Sequence, residues 1–429
     1  MSSSSREGAP VWRERNGWPG DGGHKSPQHL ELTSPQAFWL LRNGLGDVPP
    51  PLSHDRRCDV AVIGAGITGA LVSDSLTAAG LSVIAIDCRH PAHGSTSAST
   101  ALLQYELDVS LTDLIDRLGR RRAVDAYRAA LDGVRAIGRI SRALQEDVGF
   151  RNRPSLYYAS RKRDARDLRE ECATRGRAGL PAEVLDAKAI ARIVDIKAPL
   201  ALWSNTAAEV DPWRLTQALI SRCTRRDFAI YGKTEVTRIV PSRTYLEVRT
   251  NRGRIRAKTV VVAAGYEAER FLPERLARLH STYAIVTEPV KSFTGWNKRC
   301  LVWESARPYL YLRTTSDNRI IVGGEDDPFR DPASRDARVP RKAETLLGKA
   351  RRLFPRIEMD LAYAWAGTFG ESKDSLPYIG AHPRGDSRVL YALGYGANGI
   401  PFSAIAAEVL TARVLGKPHR YQSTFACDR

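Results

Sequence analysis

The stretch Val60-Ala-Val-Ile-Gly64-Ala-Gly66-Ile-Thr-Gly69 carries three glycines in the spacing G-x-G-x-x-G, within and directly after a run of β-branched residues. In a strand-turn-helix unit each of these glycines has a separate purpose. Gly64 is expected to form the tight turn, Gly66 to let a pyrophosphate approach the backbone, and Gly69 to let helix and strand pack closely. The motif therefore predicts that the start of the helix binds a dinucleotide.

The flanking residues complete this unit. Asp59–Gly64 predicts a strand, Gly66–Gly80 a helix, and Leu81–Asp87 a second strand. Asp87 closes the second strand, where its carboxylate can accept hydrogen bonds from ribose hydroxyls and disfavours the 2′-phosphate of NADP. A glycine-rich turn in an unrelated α/β protein is the alternative. The motif by itself does not choose between FAD and NAD.

Three later segments favour FAD. Gly94–Thr100 is small and rich in hydroxyls, which suits a pyrophosphate and a ribityl chain, although an ordinary loop has the same composition. Thr259–Gly265 has the pattern of a buried strand that ends in glycine. Gly394–Ile400 precedes a terminal helix, whose first N–H groups can stabilise negative charge on the N1–C2=O edge of a reduced flavin.

Together these segments resemble the D-amino-acid oxidase (DAO) family of FAD-dependent oxidoreductases, which includes glycine oxidase, sarcosine oxidase and γ-glutamylputrescine oxidase. The resemblance runs from about Cys58 to Leu415. Its carriers are Asp59–Asp87, Gly94–Thr100, Glu209–Pro212, Val260–Gly265, Ile321–Gly324, Trp365–Thr368, Lys373–Gly380 and Gly394–Ile400. These motifs are specific for the family and not for a substrate.

The resemblance implies an α/β fold, in which a Rossmann-type FAD-binding domain contains an inserted mixed-sheet substrate domain. The expected boundaries are 1–57 for an N-terminal tail and arm, 58–110, 205–275 and 365–420 for the FAD-binding domain, and 111–204 and 276–364 for the substrate domain. Within the first segment, residues 1–30 are rich in Ser, Gly and charge and predict a disordered tail. Residues 31–57 are predicted to form an arm that packs on the body.

The FAD contacts expected from the motif and the resemblance are spread over the whole chain. They are Gly64, Gly66, Ile67, Thr68, Gly69, Asp87, Cys88, Arg89, Gly94, Ser95, Thr96, Ser97, Ser99, Thr100, Val236, Ala264, Gly265, Gly367, Gly396, Asn398, Gly399 and Ile400. Some family members attach FAD to a cysteine or histidine; Gly367 and Ala98 stand at those places here. Non-covalent FAD is therefore expected.

The reaction that the resemblance implies is oxidation of a C–N bond. A hydride leaves the carbon next to an amine nitrogen for flavin N5, and the resulting imine is hydrolysed. The electrons then pass to oxygen in an oxidase. Two alternatives stay open: a dehydrogenase that delivers electrons to a quinone or a protein, and a flavin domain that acts on a tRNA base, which the net charge alone favours.

One departure from the family concerns the substrate carboxylate. In glycine and D-amino-acid oxidases an arginine that clamps this carboxylate follows the Trp-Ala-Gly stretch, and Phe369 stands in that place here. The sequence therefore favours an amine over an α-amino acid, although either remains a possible small-molecule substrate.

Candidate catalytic residues lie on one predicted strand and beside it. Alternation puts Tyr309, Tyr311 and Arg313 on one strand face. There the tyrosines could form a wall around a substrate, and Arg313 could bind an anionic group of that substrate. A half-buried structural strand is the alternative. His280 is a candidate base, or simply makes local hydrogen bonds. Lys373 could favour oxygen reduction, or face solvent.

Acids near the same strand are a further option for binding a cationic amine. Glu304 precedes the strand and Glu325 follows the Gly323-Gly324 turn. A surface ion pair is the competing interpretation of either residue.

Composition limits the partners. The chain has 429 residues and a formal net charge of +17, but its arginines are mixed with acids, so no nucleic-acid partner is expected. The six cysteines are scattered without a C-x-x-C pair, which favours a reducing compartment and no metal site. No apolar run is long enough to span a membrane, and no secretory signal is apparent, so a cytoplasmic protein is expected.

Overall fold

The computed structural model describes residues 31–272 and 274–429, so the predicted tail over 1–30 lies outside the described residues. The strands are β1 Arg56–Ile63, β2 Val83–Ile86, β3 Leu102–Leu103, β4 Arg151–Tyr158, β5 Glu183–Asp186, β6 Leu200–Glu209, β7 Phe228–Tyr231, β8 Val236–Pro241, β9 Leu246–Thr250, β10 Arg254–Val262, β11 Ala277–Thr287, β12 Leu301–Glu304, β13 Leu310–Thr314, β14 Ile320–Pro328, β15 Leu361–Ser372, β16 Tyr378–Ala381 and β17 Val389–Leu393. The α-helices are α1 Phe38–Asn43, α2 Ile67–Ala78, α3 Ser95–Ala98, α4 Leu111–Leu118, α5 Arg120–Arg142, α6 Asp164–Arg177, α7 Ala187–Ile193, α8 Pro212–Cys223, α9 Pro332–Asp336, α10 Val339–Leu353 and α11 Gly399–Val414, and a 3₁₀ helix covers Gly265–Phe271.

The first sheet is built around β1 and has the order β16-β17-β10-β1-β2-β7, with β9 and β8 added beside β10. Its central pairs, β1 with β2 and with β10, are parallel. Val60, Val62 and Ile63 are buried, as expected for a parallel strand that is covered on both faces. The predicted β-α-β unit is confirmed, with bounds within three residues of those expected.

The second sheet is mixed and has the order β15-β11-β14-β13-β12-β4-β6-β3, with β5 beside β6. Neighbouring strands are antiparallel except β12 and β4. The helix α10 packs on β11, β14 and β15 and covers one face of this sheet. The predicted fold class, a Rossmann-type half with an inserted mixed sheet, is confirmed.

The proposed domain boundaries need adjustment at two points. The boundary at residue 205 falls inside β6, and the one at 365 falls inside β15, and both strands belong to the second sheet. A boundary that cuts a paired strand separates hydrogen-bonded neighbours, so these limits belong at the strand ends. The division itself stays a prediction.

The arm before β1 packs on the second sheet and on α8. Thr33 forms a bridge with Gly367, and the Ser34 N–H donates to the Ala366 carbonyl over 3.0 Å. Phe38 and Trp39 are buried beside Trp365. The arm therefore adds a short extension to the edge strand β15 and covers its end.

Within residues 31–272 and 274–429, no helix is long and apolar enough to cross a membrane. In the same residues no cluster of three or more His, Cys, Asp or Glu side chains could hold a metal ion.

Candidate FAD and substrate site

A long cavity begins at the carboxyl end of β1 and continues beneath the face of the second sheet that is opposite to α10. At one end it is lined by Gly64, Gly66 and Asp87, and at the other by Tyr309 and Tyr311. Ligands of open α/β sheets bind outside the carboxyl ends of parallel strands, which is where this cavity starts. We call the two parts the nucleotide end and the substrate end.

The turn at the nucleotide end is fixed by glycine geometry. Gly64 has a φ of 102°, a conformation that other residues avoid. A Cβ added at Gly69 would lie 1.8 Å from the Gly64 carbonyl oxygen, so only glycine lets α2 approach the turn this closely. The Ile67 N–H at the start of α2 donates to Thr96 Oγ1 over 3.0 Å. The predicted purposes of Gly64 and Gly69 agree with this geometry.

Asp87 supports the turn as well as lining the cavity. Its Oδ2 accepts from the Ala65 N–H over 2.7 Å, and its Oδ1 accepts from the Arg89 N–H over 2.8 Å. Burial raises the pKa of Asp87, and the two N–H donors oppose this effect. Each carboxylate oxygen keeps a second acceptor site, so the predicted ribose contact remains compatible with these bonds.

Most of the predicted FAD contacts come together in this cavity. They are Gly64, Gly66, Ile67, Thr68, Asp87, Cys88, Arg89, Gly94, Ser95, Thr96, Ser99, Thr100, Val236, Ala264, Gly265, Gly367, Gly396, Asn398, Gly399 and Ile400. Two others do not line it. Gly69 is packed behind the turn, and the Ser97 hydroxyl donates to the Gly94 carbonyl over 2.9 Å within a buried helical turn. The structure thus places Gly69 and Ser97 behind the cavity wall, and a direct contact of either residue with the cofactor stays a prediction.

Two buried indoles donate hydrogen bonds to backbone carbonyls of the segment 94–101. Trp365 Nε1 donates to the Ala98 carbonyl over 2.9 Å, and Trp39 Nε1 donates to the Ser99 carbonyl over 2.7 Å. The hydroxyl-rich composition of this segment predicts a cofactor contact but does not show what holds the segment in place. The arm that carries Trp39 supplies part of that support, and Leu32 of the arm also lines the cavity.

The lining offers groups that fit FAD. Ser95 Oγ and Gln104 Oε1 are buried in the cavity wall without a hydrogen-bond partner. Buried polar groups are normally paired, so these atoms mark places for a polar ligand. The first turn of α11, at Gly399 and Ile400, brings free N–H groups and a positive helix end to the same wall.

The substrate end has an aromatic wall. The Tyr309 and Tyr311 ring centroids are 5.6 Å apart, and both residues line the cavity together with Trp303 and Phe369. Burial raises the pKa of both tyrosines, to about 12 for Tyr311. Their hydroxyls are therefore neutral donors near neutral pH. The structure brings both predicted tyrosines to the cavity.

Two carboxylates that the sequence analysis missed also lie at the substrate end. Asp108 Oδ1 accepts from the Tyr309 hydroxyl over 3.1 Å. Asp326 lines the cavity near Thr282, and its Oδ1 is buried without a hydrogen-bond partner. Burial raises the pKa of Asp326 to about 6, a Thr282 hydrogen bond opposes this, and the nearby Asp108 adds to it.

A bulge explains why Asp326, and not the sequence candidate Glu325, reaches the cavity. Tyr311 is paired with Gly323, so strict alternation along β14 would direct residue 325 to the tyrosine face. Glu325 instead has a φ of 59°, and the pairing of β11 with β14 shifts between Ser281 and Tyr283. The bulge turns Glu325 toward Lys342 and Lys349 of α10. Asp326 takes its place at the cavity.

The prediction that Arg313 holds a substrate anion is wrong. Its Nε donates to the Thr100 carbonyl over 2.5 Å, and its Nη2 donates to the Val210 carbonyl over 3.0 Å. Its guanidinium also lies 5.3 Å from the centroid of the Trp39 ring, and the side chain is 2% exposed. Arg313 shares the face of the tyrosines but connects protein segments behind the cavity.

His280 and Lys373 do not line the cavity. His280 stacks on Phe369 at 5.4 Å between ring centroids and lies 3.9 Å from Glu371. Lys373 is exposed in the turn after β15. His280 thus supports Phe369 from outside the cavity, and the structure gives neither residue a position for catalysis.

The charged residues of the cavity wall are divided between its two ends. The arginines in the lining, Arg89 and Arg270, bind Glu267 and Glu235 near Asp87. Among the described residues, neither an arginine nor a lysine lines the substrate end, and Phe369 contributes a ring there. Glu304 is engaged elsewhere, since it accepts from the Tyr158 and Ser160 hydroxyls.

Comparison with known proteins agrees with this site. The family model for FAD-dependent oxidoreductases of the DAO type matches residues 59–413. The chain is 25% identical over 384 residues to the gamma-glutamylputrescine oxidoreductase of Escherichia coli, covering 87% of each chain. It is 23% identical over 407 residues to a putative Rieske 2Fe-2S iron-sulfur protein of Bacillus subtilis, covering 94% of this chain and 77% of that one.

Solved structures show the same fold. Glycine oxidase from Geobacillus kaustophilus superposes with a TM-score of 0.74 at 21% identity, covering 87% of this chain and 99% of that one. L-proline dehydrogenase from P. horikoshii gives 0.71 at 19% identity, covering 86% and 95%. These comparisons confirm the predicted cofactor, non-covalent FAD, and the predicted oxidoreductase class.

Proposed function

Since the chain belongs to the DAO family of FAD-dependent oxidoreductases, whose members act on C–N groups of amines and amino acids, we propose that it oxidises an amine that lacks an α-carboxylate. The observation that carries this proposal is the wall of the substrate end. It presents aromatic rings and carboxylates, with Phe369 where a clamping arginine is expected. Arg307 stacks on Tyr309 and bonds the Asp108 carbonyl outside the lining, so a carboxylate substrate in the cavity would face Asp108 and Asp326 directly.

The roles of the residues follow from their positions. Gly64–Thr68, the 94–100 segment and the start of α11 would hold FAD, which accepts a hydride at N5 when bound. Tyr309 and Tyr311 would orient the amine and exclude water from the carbon that loses the hydride. The amine must lose a C–H hydride to FAD and an N–H proton to solvent to become an imine, and water then cleaves the imine to a carbonyl compound and ammonia or an amine.

A dehydrogenase is the second candidate, because no lysine of the described residues lines the cavity and Lys373 is exposed elsewhere. A positive charge beside the flavin would favour electron transfer to oxygen, so its absence there favours another acceptor. The likeness to a protein named for a Rieske cluster points in the same direction. Comparing hydrogen peroxide yield with dye reduction during turnover separates the two.

The direct test is anaerobic mixing of the FAD-loaded protein with matched pairs of compounds. Each pair consists of an amine and the amino acid that differs from it only by an α-carboxylate, such as n-butylamine and norvaline. We expect the amine to bleach the oxidised flavin absorbance at lower concentration than its amino-acid partner. Stronger bleaching by the amino acids, or no bleaching by any amine, would contradict the proposal.

A further inference from the structure

At the substrate end, Thr282 hydrogen-bonds to the Asp326 carboxyl group, and one oxygen of that carboxyl is left without a partner among the described residues. Asp326 Oδ1 is buried and has no hydrogen-bond partner. The nearest lysines are used elsewhere, since Lys342 Nζ donates to the Glu325 carbonyl over 2.7 Å and Lys349 Nζ binds Glu325 Oε1 over 2.5 Å. Among the described residues, no arginine or lysine forms an ion pair with Asp326. A buried carboxylate without a cation is costly unless a ligand supplies one.

Asp108 provides a second acceptor in the same part of the cavity. The Tyr309 hydroxyl donates to its Oδ1, which fixes the orientation of the carboxylate. Burial raises the pKa of Asp108, and the charge of Arg307 opposes this effect, although Arg307 Nη2 donates to the backbone carbonyl of Asp108 and not to its carboxylate. The carboxylates of Asp108 and Asp326 therefore line the same cavity, and a cation placed there would be attracted to both.

The aromatic wall suits the same ligand. Faces of tyrosine rings attract cations, and Tyr309 and Tyr311 line the cavity that the two carboxylates share. The Arg307 guanidinium already lies 4.8 Å from the centroid of the Tyr309 ring, so Tyr311 is the ring that we assign to a ligand cation. The Tyr311 ring is held over Gly323, where an added Cβ would lie 2.3 Å from a ring carbon. The ring position therefore depends on that glycine, and the wall is preformed.

We propose that Asp326 and Asp108 form a cation-binding subsite, and that the substrate is a diamine whose non-reacting ammonium group binds there. This inference rests on the proposed function and names its substrate class. The reacting nitrogen must be neutral when the neighbouring carbon loses a hydride, so an ammonium held by carboxylates has to be a different nitrogen. A diamine supplies both, with the second nitrogen placed toward the flavin.

The experiment measures anaerobic flavin reduction by straight-chain α,ω-diamines and by n-alkylamines of the same carbon number. We expect the dissociation constant of the diamine to be about ten- to a hundredfold lower, as a charged hydrogen bond allows. In Asp326→Asn the two dissociation constants should become similar, because the diamine loses its advantage over the monoamine. Asp327→Asn is the matched control, because Asp327 pairs with Arg338 and Lys342 outside the cavity.

Other outcomes would overturn the subsite. Equal affinities for monoamines and diamines in the wild-type protein would remove the subsite and leave amine oxidation intact. An equal loss of the reduction rate constant with both classes in Asp326→Asn would identify Asp326 as a base for the reacting nitrogen instead. In either case the diamine preference is refuted.

A binding measurement separates failure of the subsite from failure of the proposed function. A bis(trimethylammonium) alkane cannot be oxidised at a neutral nitrogen, and its binding to the FAD-loaded protein can be followed by the flavin spectrum or by tryptophan fluorescence. Binding that is lost in Asp326→Asn supports the subsite even if no amine reduces the flavin. Binding that Asp326→Asn leaves unchanged refutes it.

Discussion

The two ends of the cavity are built from different parts of the polypeptide. At the nucleotide end, backbone groups do most of the work: Gly64 turns the chain, Ile67 begins a helix, and Asp87 accepts from N–H groups of the turn. At the substrate end, side chains from distant segments meet, including Asp108, Tyr309 and Asp326. A backbone site tolerates few changes in glycine, whereas a side-chain site is altered one residue at a time. The family cofactor and the individual substrate are thus encoded separately.

The largest effect is expected from Gly69→Ala. The new Cβ would meet the Gly64 carbonyl oxygen at 1.8 Å, so α2 must move away from the turn that holds the pyrophosphate. We expect loss of bound FAD and a fall of about 3 kcal/mol in the free energy of unfolding, as for severe overpacking. Flavin absorbance of the purified protein and denaturant unfolding measure the two effects.

Gly176→Ala is the control, because open space surrounds Gly176 in α6 and its φ is not positive. This change should preserve FAD content and stability, with a gain of roughly 0.5–1 kcal/mol at most. If Gly69→Ala kept its FAD and wild-type stability, the backbone account of the nucleotide end would be wrong.

The next effect concerns the contact between the arm and the segment 94–101. Trp39→Ala removes a buried ring and the hydrogen bond to the Ser99 carbonyl. We expect a loss of about 3–5 kcal/mol in stability and weaker FAD binding. Trp39→Phe keeps most of the packing and should cost roughly 1 kcal/mol. An unchanged FAD dissociation constant in Trp39→Ala would show that the arm stabilises the fold without supporting the cofactor segment.

Arg313→Met tests whether Arg313 stabilises the fold or belongs to the substrate end of the cavity. The substitution leaves the Thr100 and Val210 carbonyls without their guanidinium, while Glu209 keeps its ion pair with Arg153, so we expect a loss of about 3 kcal/mol in unfolding free energy. Arg166→Met, on the exposed face of α6, should leave the unfolding temperature unchanged. A stable Arg313→Met protein with a raised KM for an anionic substrate would restore Arg313 to the site.

These cases show what the sequence can and cannot predict. The glycine spacing determines the nucleotide end because local backbone geometry requires it, and alternation correctly put Tyr309 and Tyr311 on one face. Alternation does not tell which segments pack against that face of the strand. It therefore allows an anion site at Arg313, although Trp39 and Thr100 cover the Arg313 side chain. Asp108 lies in a loop about 200 residues before Tyr309, and no local pattern connects them.

The bulge at Glu325 is the clearest example of a feature that the sequence does not predict. One residue with a φ of 59° shifts the register of side chains, so the acid at the cavity is Asp326 and not its neighbour. The positive φ at a glutamate gives no strong signal in the sequence, since the adjacent Gly323 and Gly324 suggest only an ordinary turn or bulge. Tertiary pairing with β11 decides the position.

The smallest expected effect is a dependence on pH that is confined to the substrate end. Burial raises the pKa of Asp326 to about 6, above its ordinary range. The charged and titratable groups around it are Asp108, Tyr309 and Tyr311 across the cavity, Lys342 on α10 and Asp327 on its own strand. Above pH 6 the carboxylate is charged and attracts an ammonium. Below pH 6 it is protonated, so the diamine should lose affinity by up to about tenfold per pH unit.

The ratio of diamine to monoamine dissociation constants isolates this effect, because the reacting nitrogen of both compounds gains and loses its proton in the same way. The ratio should rise as the pH falls through about 6 in the wild-type protein and stay flat in Asp326→Asn. A bound ammonium itself lowers the pKa of Asp326, so saturating diamine should shift the transition to lower pH. A ratio that changes equally in the wild type and in Asp326→Asn would assign the titration to another group, with Asp108 as the next residue to replace.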